Sequence, residues 1–88
     1  MSITVICKKS AFKHGETADD IRWAFNTAKY DSLVEGFDNK YLLIGFNTKG
    51  NFIEVLYSDL GENTASVFHA MKCRKELLSL LPPRGIYE

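Results

Sequence analysis

The chain reads as one small α+β domain: an antiparallel sheet of three to four strands, an N-terminal helix or helices and a C-terminal helix. Three observations predict it. Tyr41 to Phe46, Phe52 to Tyr57 and Thr64 to His69 are strand-like runs, and the links between them are short enough for antiparallel neighbours. Ile21, Ala24, Phe25 and Ala28 follow the i, i+3, i+4, i+7 spacing of one buried helix face. Met71 to Leu81 then places Leu77, Leu78, Leu80 and Leu81 on an apolar face, and Pro82-Pro83 stops it. With 88 residues the chain makes a single domain over 1–88, of which 82–88 is a short C-terminal tail.

Each element has a local cause. Ile3 to Cys7 is a short β-branched run, long enough for one strand. Lys8 to His14 is ambiguous, and Ala11-Phe12 fits a helical turn. Thr17 is a good N-cap for the helix that follows, and Asp19 and Asp20 fall in the first turn, where the helix dipole favours acids. That helix is expected to fade near Lys29. Tyr30 to Asn39 reads as a connection with a short strand around Leu33-Val34-Glu35. Asn47 to Asn51 is a hairpin turn, with Gly50 where a positive φ is needed. Ser58 to Asn63 reads as the next loop.

Composition bounds the function. Hydrophobic residues make up 45% and aromatic residues 12%, the make-up of a folded globule rather than a disordered tail. No apolar run approaches the roughly 20 residues that span a bilayer, so no membrane partner is expected. The N-terminal charges follow the apolar stretch, whereas a secretory signal needs them before it, so a cytoplasmic location is expected. Cys7 and Cys73 are far apart, with no metal-ligand spacing, and read as buried thiols. Eleven basic residues balance eleven acids, which argues against a broadly basic nucleic-acid binder. The balance is uneven along the chain: residues 1–15 carry +3, residues 16–62 carry −5 and residues 63–88 carry +2. A fold that joins the two ends would make a local basic patch.

Two stretches belong together. The first is Lys13-His14-Gly15 followed by Thr17-Ala18-Asp19-Asp20-Ile21 and Ala24-Phe25. The second runs from Tyr41-Leu42-Leu43-Ile44-Gly45-Phe46 through Gly50 to Tyr57 and ends in Val67-Phe68-His69-Ala70-Met71-Lys72. This ordered set resembles the BrnT-like toxins of bacterial type II toxin–antitoxin systems, relatives of the RelE-type ribonucleases. The resemblance implies a RelE-like fold and a metal-independent endoribonuclease that cleaves mRNA and inhibits translation, with no cofactor. It also implies a cognate antitoxin protein, in a homodimer or a heterotetramer with that antitoxin. One junction departs from the pattern: the family reads Ser-Ala-Arg where this chain reads His69-Ala70-Met71, and the next guanidinium is Arg74.

Metal-free RNA cleavage needs a base for the 2′-OH proton, a cation for the charge on phosphorus and an acid for the leaving 5′-oxygen. His14 and His69 are the side chains suited to proton transfer near neutrality. Arg74 is a candidate for charge stabilisation, and Tyr57 and Glu54 lie on the second hairpin strand. Glu54 and His69 pair if the strand register allows it. Lys9, Lys13, Lys72 and Lys75 are candidate RNA-binding residues. Each has a plainer reading: His14 as a loop-closing residue beside Gly15, the lysines as a solvated face, Tyr57 as a core edge, Trp23 and Phe25 as packing. Two alternatives to the nuclease follow, a non-catalytic relative that acts as a protein-interaction module and a small RNA-binding regulatory protein.

Overall fold

A computed structural model describes residues 3–81 of the chain. Pro82-Pro83 and the 82–88 tail lie outside the described residues. The elements, in order, are β1 (Thr4–Cys7), a short 3-10 turn (Lys9–Phe12), α1 (Ala18–Asn26), β2 (Tyr30–Leu33), β3 (Tyr41–Phe46), β4 (Phe52–Gly61), β5 (Thr64–Lys72) and α2 (Lys75–Leu78). The fold is α+β, but the sheet has five strands in the order β1-β5-β4-β3-β2 and is mixed. This corrects the expected antiparallel sheet of three to four strands. β2, β3, β4 and β5 pair antiparallel with their neighbours, whereas β1 runs parallel to β5, with Thr4 opposite Thr64 and Cys7 opposite Val67. A parallel edge partner some 60 residues away leaves no local signal in the chain.

α1 forms where the apolar spacing places it. Thr17 caps it by a reciprocal pair of bonds: its hydroxyl accepts from the Asp20 N–H at 3.1 Å, and the Thr17 N–H donates to Asp20 Oδ2 at 2.9 Å. The helix stops at Asn26 rather than near Lys29 because Thr27 turns its bonding to the sheet. The Thr27 hydroxyl donates to the Trp23 carbonyl at 2.7 Å and accepts the Phe46 N–H at 2.9 Å. Ile21 and Ala24 are fully buried against Leu43, Ile53, Val55, Tyr57, Ala65, Val67 and Ala70. Gly45 lets α1 lie close to β3, because a Cβ there would run into the Ala24 backbone.

Three other boundaries differ from expectation. The connecting strand occupies Tyr30–Leu33, four residues that pair with β3 as an edge, rather than Leu33-Val34-Glu35. β4 continues through the expected Ser58 to Asn63 loop to Gly61, and the turn tightens to Glu62-Asn63, both at positive φ (52° and 57°). β5 runs to Lys72, so the expected Met71–Leu81 helix shrinks to the single turn Lys75–Leu78. The cause lies in the intervening backbone. The Cys73 N–H donates to the Phe52 carbonyl at 3.0 Å, and the Arg74 N–H donates to Glu54 Oε1 at 3.1 Å. Both donors are held by the sheet in extended chain, and helix can begin only after them. Among the described residues no helix is long and apolar enough to cross a membrane.

Candidate active site

The site grows from one irregularity in β5. Tyr57 lies opposite Val67 and Leu56 opposite His69, so Phe68 is an extra residue on β5. Such a bulge shifts the side-chain alternation by one. Val67 and Ala70 are both buried in the α1-facing core although they are three apart, which an unbroken strand would forbid. His69 is thereby released from the core face and set diagonally across from Glu54, whose direct partner is Met71. The Ser10 hydroxyl bonds the Phe68 carbonyl at 2.6 Å and fixes the bulge to the 3-10 turn.

Glu54 is the centre of the cluster. Ile53 and Val55 on either side of it face the α1 core, so Glu54 projects from the opposite face of the sheet, and it is 0% exposed. Three groups satisfy its carboxylate. Arg74 Nε donates to Oε1 at 3.0 Å and Arg74 Nη2 to Oε2 at 2.9 Å, a two-point clamp. The Arg74 backbone N–H adds the bond to Oε1. His69 Nε2 lies 3.1 Å from Oε2. Burial alone would push the Glu54 carboxyl up, but these donors outweigh it and hold the group below the ordinary carboxylate range.

An ionised carboxylate can only accept. Glu54 therefore keeps a proton on His69 Nε2, which leaves Nδ1 of the neutral ring as the nitrogen free to take one. The cluster opens outwards from Glu54: the His69 side chain is 24% exposed and that of Arg74 55%. The two bonds to Glu54 use two of the five guanidinium N–H groups. The His14 ring meets the His69 ring edge-on, with centroids 5.5 Å apart. His14 is exposed and reaches this position because the 3-10 turn packs along β5. Four of the residues singled out in the sequence thus converge, from β4, β5, the start of α2 and the segment before α1.

Tyr57 does not join them. It lies on the α1 face, where its hydroxyl donates to Asp31 Oδ1 at 2.7 Å and its ring stacks on Tyr41 at 5.2 Å. Burial and the Asp31 carboxylate hold the phenol protonated far above its ordinary range. Phe25 packs on Tyr57 from α1, with ring centroids 5.1 Å apart, while Trp23 stays largely exposed. Lys9 and Lys13 are exposed on and just after the 3-10 turn, and Lys72 and Lys75 are exposed on either side of Arg74. β1 and the 3-10 turn both pack on β5, so the described basic stretches near the two ends, around Lys9 and Lys13 and around Lys72 and Lys75, both adjoin this strand. Cys73 is buried and Cys7 half-buried, both free thiols.

Two buried polar residues were not singled out as structural centres in the sequence. Asp20 accepts from the hydroxyls and backbone N–H groups of both Thr17 and Thr48. Asn47 accepts the Lys49 and Asn51 N–H groups at 3.0 and 2.9 Å and donates to Glu16 Oε1 at 3.2 Å. The Thr-x-x-Asp spacing is a readable capping signal for the first; Asn before a Gly turn is a weaker one for the second.

Comparison with protein-family models, curated proteins and solved structures gives no match.

Proposed function

We propose that the protein is a metal-independent endoribonuclease of the BrnT-like toxin kind, with a RelE-like fold, that cleaves mRNA and inhibits translation. The observation that carries this reading is the clamp of buried Glu54 on Arg74 and His69, with His14 edge-on beside them. Glu54 acts as a positioning residue. It fixes the His69 tautomer and aims the Arg74 guanidinium, as an orienting carboxylate does for a catalytic histidine.

In this reading one histidine takes the 2′-OH proton as the 2′-oxygen bonds to phosphorus. Arg74 binds the non-bridging oxygens as their charge rises. The P–O5′ bond breaks, and the other histidine gives its proton to the leaving 5′-oxygen. The products are a 2′,3′-cyclic phosphate and a 5′-hydroxyl, so bonds and protons balance. His69, oriented by Glu54, suits the base, and exposed His14 the acid. Lys9, Lys13, Lys72 and Lys75 supply the phosphate contacts that hold the strand. The reading places the protein in the cytoplasm with a cognate antitoxin that covers the site.

The test is cleavage of mRNA by the purified chain in the presence of a chelator, with the product ends identified. Cyclic phosphate ends, and loss of both cleavage and growth arrest on His69→Ala with unchanged circular dichroism, are expected. RNA left intact by the wild-type chain sinks the nuclease reading. Salt-dependent RNA binding without products would then favour the regulatory RNA-binding alternative.

A further inference from the structure

A cavity of about 280 Å³ opens at the end of the sheet, lined among others by Gly15, Glu16, Lys49, Asn51, Phe52 and Lys72. Gly15 follows His14 in the chain. Ile53, also in the lining, precedes Glu54 and pairs with Lys72 across β4 and β5. The cavity thus borders two members of the cluster, His14 and Glu54, along the chain, while Ile53 and Asp20 place it on the α1 side of the sheet. Its volume is at the small end for ligand pockets, which run from about 300 to 1,000 Å³, and suits one nucleobase with its sugar rather than a larger ligand.

Its chemistry is divided. Lys49 and Lys72 bring two cations, suited to phosphate. Glu16 and Asp20 bring the carboxylates, but the Asp20 oxygens are already engaged by Thr17 and Thr48. Glu16 Oε1 accepts a bond from Asn47 Nδ2 at 3.2 Å, and a carboxylate has about four lone-pair sites. Glu16 is held in place by Asn47 and retains acceptor capacity toward the cavity. Phe52 also lines the cavity, from the sheet face it shares with Glu54, and its ring stacks on Phe46 with centroids 4.4 Å apart.

We infer that this cavity is a base-recognition subsite of the proposed nuclease, selective for guanine in single-stranded RNA. Guanine alone among the four bases presents two adjacent N–H donors, N1–H and N2–H, to a carboxylate. Adenine and cytosine offer one amino group there, and uracil one imide N–H. Single-stranded RNA is commonly read in this way, by a ring stacked on an aromatic and an edge bonded to polar groups. The inference rests on the nuclease reading for its place in a reaction, but guanine binding can be measured without any cleavage.

The experiment titrates the full chain, ¹⁵N-labelled, with GMP, AMP, CMP, UMP and inorganic phosphate, following the amides of Gly15, Lys49 and Asn51. GMP is expected to bind about tenfold more tightly than the other nucleotides, a preference that Glu16→Gln removes while phosphate-induced shifts persist. Phosphate alone reproducing the GMP shifts, equal binding of all four nucleotides, or no shift at these amides each overturns the guanine site. Wild-type cleavage without base preference also overturns it and leaves the nuclease reading standing. Selective GMP binding by a chain that cleaves no RNA keeps the guanine site and sinks the nuclease reading.

Discussion

Asp20 and Glu54 are both buried carboxylates, at 6% and 0% exposure, both fully bonded, and both held below the ordinary carboxylate range. They differ in what bonds them. Asp20 is held by neutral donors, the hydroxyls and N–H groups of Thr17 and Thr48, which tie the start of α1 to the β3–β4 turn. Glu54 is held by a guanidinium and an imidazole that both reach solvent. The first arrangement closes a structure. The second spends buried charge on aiming groups that can meet an anion or exchange a proton. Burial and a depressed pKa alone do not separate a structural carboxylate from one that serves a site; the chemical identity of its partners does, since Thr17 and Thr48 are themselves exposed.

The largest expected effect is on catalysis. His69→Ala should lower RNA cleavage by about 100- to 10,000-fold, the usual worth of a general base, while unfolding free energy changes by less than about 1 kcal/mol. Asp20→Asn, measured well below its unfolding midpoint, should leave cleavage within about threefold of wild type, because no step uses Asp20. Equal losses in the two variants would erase the distinction between the regions.

Stability should move the other way. Asp20→Ala removes four bonds to a charged acceptor, and with them the capping pair and the tie between α1 and the β3–β4 turn, and should cost about 3 kcal/mol, or a fall in Tm of about 15 °C. Glu54→Gln should cost about 1 kcal/mol, since Arg74 is more than half exposed and returns to water readily. Urea unfolding of the two variants measures both, and a Glu54→Gln cost above that of Asp20→Ala would make the cluster the main structural tie.

The sequence brought Asp20 and Glu54 into view unequally, for physical reasons. α1, its Thr17 cap and the three central strands follow from periodicity and turn chemistry, which are local. The pairing of Glu54 with His69 was conceivable but unfixed, because it depends on the Phe68 bulge, and no residue type announces a bulge. Arg74 was separated from Glu54 by the apparent helix from Met71. The Leu-rich pattern after Lys75 is helical, and only the capture of two backbone N–H groups by the sheet shows that the chain stays extended through Arg74. Tyr57 shares a strand with Glu54 and so looked like a neighbour, but an odd separation of three residues puts it on the other face. Asp20 read as an acid favoured by the helix dipole, since its bond to Thr48, 28 residues away, is invisible locally.

Acid should weaken both regions. Unfolded Asp and Glu titrate near 3.9 and 4.3, and both groups titrate lower in the folded chain. A depressed folded pKa adds stability that is fully present above about pH 5 and is lost as pH falls through about 4 and below. Asp20→Asn and Glu54→Gln should each flatten the loss of unfolding free energy between about pH 5 and pH 3. A variant whose acid slope equals that of wild type would show that its carboxylate is not held low in the folded chain.

The smallest effect separates the regions most cleanly. Between about 0.1 and 1 M salt the screening length falls from about 10 Å to about 3 Å. The Glu54–Arg74 pair has one partner in solvent, so its coupling energy, from a double-mutant cycle with Glu54→Gln and Arg74→Met, should drop by about 0.5 kcal/mol. A matching cycle with Asp20→Asn and Thr48→Val should hold constant within error, because that bond joins a carboxylate to a neutral hydroxyl, which salt does not screen as it does a charge. The contrast bears on mechanism. A guanidinium that salt can loosen from Glu54 can share its charge with a phosphate in the same place. If the Glu54–Arg74 coupling is as indifferent to salt as the Asp20–Thr48 bond, Arg74 is committed to the fold, and its role in stabilising the transition state fails with it.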